Sequence, residues 1–290
     1  MKNRFTVYPY WLVLPALILY CVFFIYPTLT GFYYSFTDWS PVKSAVSFNG
    51  WENFKYIFQN EVTRLAIKNT LIFAVVAVIF KNMFGLLLAV ALNTGLKTRN
   101  VLRGIFYAPA IVSTIVIGLV FIPILHPNGL LNDFLSGIGL KALTQYWLVD
   151  TKIVILTIAG VSIWQWSGYH MAIYLAGLQG ISSEYYEAAK IDGANVFQRF
   201  RHITIPLMAA SININVMLSL IGGIRVFSEV YALTNGGPGN ASQVLSSYIL
   251  VLFGEGRWGL GTAMNTVLFL MVAIISIPLL YRMRKQEVEA

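Results

Sequence analysis

From Tyr8 to Phe36 the chain runs without one charged residue. About 20 apolar residues suffice to carry a helix across the hydrocarbon core of a bilayer. Comparable runs recur, and six spans are expected at roughly 10–36, 69–93, 105–125, 153–180, 206–228 and 262–281. Lipid offers the backbone no hydrogen bonds, so spans of this length must be helical. Composition agrees: of 290 residues, 57% are hydrophobic and 11% charged, where a soluble domain carries about 25% charged residues. The expected fold class is all-α integral membrane, one transmembrane domain over 1–290. The first apolar run exceeds the roughly 7–15 residues of a secretory signal core, so it reads as a retained span behind Lys2 and Arg4.

Basic residues set the orientation. The N-terminus (Lys2, Arg4), the 94–104 loop (Lys97, Arg99, Arg103), the 181–205 loop (Lys190, Arg199, Arg201) and the tail (Arg282, Arg284, Lys285) hold 11 of the 20. The longer loops near 37–68, 126–152 and 229–261 hold seven. Positive-inside bias therefore puts both termini and the 181–205 loop on the cytoplasmic side, as an even number of spans requires. Tyr8, Tyr10 and Trp11 at one edge of the first span, and Tyr33, Tyr34 and Trp39 at the other, form the expected interfacial belt. A stretch around Val244–Phe253 reads as a short helix lying on the outer surface or dipping into the bilayer.

Most chemistry has no residues to carry it. Cys21 is the one cysteine, so no internal disulfide is available. His126, His170 and His202 are scattered with no metal-ligand spacing, and HExxH, GxSxG, CxxC and the phosphate-binding GxxxxGK[ST] are absent. Neither a catalytic site nor a metal is expected, and any ATP hydrolysis belongs to another subunit.

The segment EYYEAAKIDGANVFQRFRHITIPL, 184–207, interrupts this apolar chain with six charged residues. It reads as two short helices around a turn. Ser183 is placed to cap the first, and Glu184 suits its positive end. Asp192-Gly193 breaks it, with Asp192 placed to cap the second. In the second helix Val196, Phe197, Phe200 and Ile203 share a face at helical spacing. The residues alone allow an ordinary loop lying on headgroups as well as a small knob shaped for a partner's pocket.

EAAKIDGA followed by FRHITIPL closely resembles the EAA loop of permease subunits of binding-protein-dependent ABC importers. Ile205-Pro206 stands where Leu-Pro is usual. The resemblance covers nearly the whole chain and is most specific to the carbohydrate-uptake branch. LPALILYCVFFIYPTLTGFYYSFTDW, FNGWENFKYIF and WQWSGYHMAIYLAGLQGIS look like that branch, and LTNGGPGNAS at 233–242 looks like the maltose-type first permease. The resemblance implies a type I ABC importer permease fold in the inner membrane. It also implies a heterodimer with a second, related permease, an ABC ATPase dimer carrying ATP-Mg, and an extracytoplasmic sugar-binding protein. On it, Glu187, Ala188 and Ala189 lie on a coupling helix that docks in the ATPase, with Asp192 and Gly193 closing it.

Matching the family's fourth and fifth spans puts Ser162, Gln165, Ser219 and Gly223 along the translocation path. Trp164 and Trp166 offer the flat apolar faces a sugar ring needs. Interhelical hydrogen bonds and packing account for the same residues. Lys81 sits near mid-span with no family role, while Arg225 and Glu229, one turn apart, are expected to pair locally near the outer end. Two rival readings remain. Glycerol phosphate or another phosphorylated solute would give Lys81 or Arg225 a purpose. An ion-coupled secondary transporter would need intramembrane carboxylates, and the spans as drawn hold none in their cores.

Overall fold

Proline shapes the helices from the first span onward. In the computed structural model, which describes residues 10–284, α1 (Trp11–Tyr34) carries a π-turn at Cys21–Ile25, just before Pro27. Pro27 has no N–H to continue the ladder, and the Tyr26 N–H reaches back five residues to the Cys21 carbonyl. The same device precedes Pro206: a π-turn at Phe200–Thr204, closed by Ile205 N–H to the Phe200 carbonyl. Lys2, Arg4, Tyr8 and Lys285, which entered the orientation argument, lie outside the described residues.

The remaining helices are α2 (Glu52–Gln59), α3 (Glu61–Leu92), α4 (Arg99–Ile111), α5 (Thr114–Ile124), α6 (Leu130–Gly137), α7 (Val154–Gln179) and α8 (Ser183–Ile191). They continue as α9 (Val196–Leu207), α10 (Ala209–Ile224), α11 (Ser228–Leu233), α12 (Leu245–Gly254) and α13 (Trp258–Arg284). Extended pairing among the described residues is limited to one antiparallel bridge, Thr37–Phe48.

Six straight spans are not what the chain forms. Three helices, α1, α3 and α13, are long and apolar enough to cross a bilayer. The expected span 105–125 is two helices, α4 and α5, bent by 96°, and the expected span from 206 begins in a 69° bend between α9 and α10. Counting each bent pair as one span gives five. α7 has the length, 26 residues, but Gln165, His170 and interspersed Trp, Tyr and Ser make it too polar to qualify on composition. The second span starts at Glu61 rather than near 69, and the fifth stops at Ile224 rather than 228.

The chain divides into two compact units. In the first, residues 1–60 with 249–267, the buried Asn53 amide donates to the Ser35 and Thr37 carbonyls at 2.9 and 2.8 Å. There Arg257 stacks 4.6 Å over the Tyr56 ring, and Trp39 stacks on Tyr34 and meets Trp258 edge-on. The second unit, 61–248 with 268–290, is organised on α7, which buries 15 residues. Glycines set its tightest approaches: a Cβ at Gly168 would fall 1.9 Å from the Phe106 carbonyl oxygen of α4.

The interior of the second unit is layered. One apolar cluster holds Phe73 and Ala77 of α3, Val154 and Ile158 of α7, Ile117 of α5 and Val230 of α11. Another holds Ala89 and Leu92, Met171 and Leu178, and Met208. Between these positions on α3, α7 and α10 fall Lys81 and Asn82, Ser162, Gln165 and His170, and Asn215 and Ser219. A polar tier thus divides the core at mid-depth.

Candidate functional site

The loop between α7 and α10 is built as a free knob. Ser182, not Ser183, caps α8, its hydroxyl accepting from the Glu184 N–H at 3.3 Å. Asp192 ends α8 and does not cap the next helix. Asn195 does so through a capping box: its side chain accepts from the Gln198 N–H at 2.9 Å, and Gln198 accepts from the Asn195 N–H at 2.8 Å. The preference of Asn for capping, together with a Gln three residues on, was the signal available in the sequence. Gly193 turns the chain at φ +77°, in the left-handed region that disfavours a side chain.

Glu187, Ala188, Asp192 and Gly193 are exposed and Ala189 is half-buried. Ile191, Val196 and Phe197 are also exposed, at 87, 73 and 69%. The face expected from Val196, Phe197, Phe200 and Ile203 therefore stays uncovered at its start. One bond fastens the knob to the span behind it: the Tyr186 hydroxyl meets Thr204 Oγ1 at 3.0 Å.

The six expected path residues occupy different places. Gln165 is fully buried and donates to the Val112 carbonyl at 3.1 Å and to Thr114 Oγ1 at 3.2 Å, which fastens the α4–α5 bend. Ser219 accepts from Asn82 Nδ2 at 2.8 Å, and Tyr174 donates to Asn82 Oδ1 at 2.6 Å. Gly223 lies against the α3 backbone, where its Cβ would come 2.9 Å from the Ala74 Cα. Ser162 is buried and donates to Glu229 Oε1 at 3.0 Å. Trp164 is 50% exposed beside Phe121, and Trp166 is half-buried, edge-on to Tyr169.

The structure brings in residues that sequence reasoning passed over. His170 Nδ1 meets Asn215 Oδ1 at 2.7 Å, and Asn82, which also donates to the Val78 carbonyl of its own helix, joins α3 to α7 and α10. Their signal was a polar side chain repeated one turn apart, His170 with Tyr174 and Asn215 with Ser219. Glu229 is a correction. It forms no pair with Arg225, which is exposed past the end of α10; the chain breaks between Ile224 and Ser228, and Glu229 turns to Ser162 inside the bundle. The spans as drawn therefore missed an interior carboxylate.

A helical bundle with a polar tier across its core, broken spans and an uncovered two-helix knob defines a multi-span membrane transport subunit. The chain belongs to the family of binding-protein-dependent transport system inner membrane components, which it matches over residues 81–283. It is 35% identical to the probable ABC transporter permease protein YurN of Bacillus subtilis, with 96% of each chain covered. It is 34% identical to the arabinooligosaccharides transport system permease protein AraP of Bacillus subtilis, over 93% of this chain and 86% of that one. A crystal structure of a bacterial ABC transporter involved in the import of the acidic polysaccharide alginate aligns with a TM-score of 0.82 and 26% identity, covering 95% of this chain and 94% of the other. The fold is that of a type I ABC importer permease.

Proposed function

We propose that this permease, acting as one transmembrane domain, pairs with a second, related permease to form the pathway for ATP-driven uptake of a sugar or oligosaccharide. An extracytoplasmic sugar-binding protein delivers the cargo. An ABC ATPase dimer, holding ATP-Mg, drives the cycle, and this chain hydrolyses nothing. Both termini and the α8 knob face the cytoplasm. The observation that carries the reading is the knob: Glu187, Ala188, Asp192 and Gly193 are exposed on a capped helix fastened to the start of the next span. Such a helix transmits a push from its docking partner to the span behind it.

The cargo reading is supported by the relatives named for arabinooligosaccharides and lactose. It is also supported by Trp164 and Trp166, which leave ring surface uncovered; Ser162, Gln165, Ser219 and Gly223 are read as the substrate-pathway residues beside them. Gln165 Oε1 and Asn215 Nδ2, both buried, lack partners among the described residues. A phosphorylated solute is the alternative cargo, with Lys81 or the exposed Arg225 as its counter-charge.

The test is ATPase activity in liposomes holding the chain with its partner permease, ATPase and binding protein, across a panel of sugars. Stimulation by a sugar, abolished by Glu187→Lys, is expected. No stimulation by any sugar, with uptake that persists without the ATPase, would overturn the reading.

A further inference from the structure

Lys81 is the only Lys, Arg, Asp or Glu among the described residues that is buried, at 6% exposure. An uncompensated charge at the centre of a span is costly, so the bundle must answer it. Among the described residues the ion pairs within 4.0 Å are Lys43–Asp38 and Arg257–Glu255. Lys81 is therefore in direct contact with no acid. Ala77, one turn before Lys81, Ile158, one turn before Ser162, and Val230, next to Glu229, meet in one apolar cluster, which brings Lys81, Ser162 and Glu229 to one end of it; Glu229 is the acid whose charge acts on Lys81. Glu229 is in turn held at 3.0 Å by the buried Ser162 hydroxyl of α7. Lys81 and Glu229 lie on α3 and α11.

The place of Glu229 in the chain gives this arrangement its meaning. It lies just past the end of the fifth span, where α10 ends at Ile224 and α11 begins at Ser228, with Phe227 at φ −142° and ψ −59°. Backbone hydrogen bonds do not carry α10 into α11, so the outer segment is positioned by what its side chains touch. On one side α11 lies against α5, where a Cβ at Gly118 would fall 2.4 Å from the Ala232 Cβ. On the other, Val230 and Leu233 enter the apolar cluster with Phe73 and Ala77. Apolar packing is non-directional and lets a segment slide; a hydroxyl bond and an opposed charge fix one register.

The geometry points to Lys81, Ser162 and Glu229 as an internal latch that holds α11, the short helix beyond the fifth span, against α3 and α7 and must release in each transport cycle. The three are positioning residues; none is required to touch cargo. A separation beyond contact suits a latch, because a fully closed buried pair resists opening while a gapped one holds through attraction alone. This inference rests on the transport reading above, since only a cycling permease has use for a releasable outer segment.

The experiment uses the whole transporter in liposomes and reads ATPase activity with and without binding protein. Wild type is the control: if it shows no stimulation by binding protein, the transport reading itself fails. Lys81→Met and Glu229→Gln are expected to raise the activity without binding protein about ten-fold, the factor produced by about 1.4 kcal/mol off a barrier. The exchanged pair, Lys81→Glu with Glu229→Lys, is expected to restore dependence on binding protein. Ser162→Ala keeps both charges and should give a smaller rise in the same direction. A merely structural role would lower assembly or all activity together and leave the ratio unchanged. If the single variants and Ser162→Ala assemble and keep the wild-type ratio, or if the exchanged pair is no better than the singles, the latch is overturned. Should the charge variants fail to assemble, the ratio measured in Ser162→Ala decides.

Discussion

Glu187 protrudes from α8 with no packing role within the chain, so its replacement tests docking and not folding. A charge-assisted hydrogen bond contributes about 1.5–3 kcal/mol, too little to hold a transporter together. Glu187→Lys is therefore expected to leave membrane levels and co-purification of subunits unchanged while ATP-driven uptake disappears, as flux in vesicles would show. Gly168 gives the opposite case. Its Cβ would strike the Phe106 carbonyl, a backbone atom that cannot swing aside, so Gly168→Ala should destabilise by about 1–3 kcal/mol. A lower thermal midpoint of the purified complex is the check. Asp38 carries a pH signature. The Lys43 ammonium and the Ser47 N–H, at 2.7 Å, hold its carboxyl below the usual range. Because that value is depressed, the stabilisation is complete above the unfolded value of about 3.9 and lost as pH falls through the lowered one. Pepsin cleavage of the 38–47 loop should stay slow near pH 4 and rise only in stronger acid.

At the scale of elements, α9 is short and depends on its cap. Asn195→Ala removes one bond of the capping box and should cost about 1 kcal/mol, read as faster amide exchange over Val196–Phe200. The sequence made this two-helix knob legible in outline because helix breaking at Asp192-Gly193 is local chemistry. It mis-set the caps by one and three positions, since Ser182 and Ser183, or Asp192 and Asn195, differ only in how the incoming chain is aimed. Bends in the spans were not legible. Hydropathy runs unbroken through Val112 and Ser113, yet Gln165, from another helix, takes the Val112 carbonyl and fastens the turn. Glu229 was hidden for a related reason: a residue past the end of a span is read as outside, and a break of three residues brought it in. Of the residues expected along the path, Ser162, Gln165 and Ser219 were singled out by their polarity, and the structure shows each of them hydrogen-bonded between helices. Which group each would bond depended on α3, α5 and α11, too distant in sequence for any local pattern.

For the whole molecule, orientation is the property with the sharpest test, because the chain has one cysteine to remove. In a Cys21→Ser background, Val42→Cys and Ile191→Cys place single thiols at positions 90 and 87% exposed. In cells lacking the ATPase, an impermeant maleimide should label position 42 from outside and reach 191 only in inverted vesicles. Labelling of both from one side would refute the positive-inside assignment.

The polarity of α7 also bears on how such a chain is made. Helices enter a bilayer from the insertion machinery when their side chains favour lipid over water. α7 has the length but not the composition, since its polar side chains answer to α3, α4 and α10. Its stable entry waits on α3 and α4, already synthesised, and its last polar partners arrive only with α10 and α11. The order of synthesis is thus part of the fold: the helix at the centre of the bundle is not a pioneer but a guest of its neighbours, and a nascent chain halted after Gln179 would hold it only loosely in the membrane.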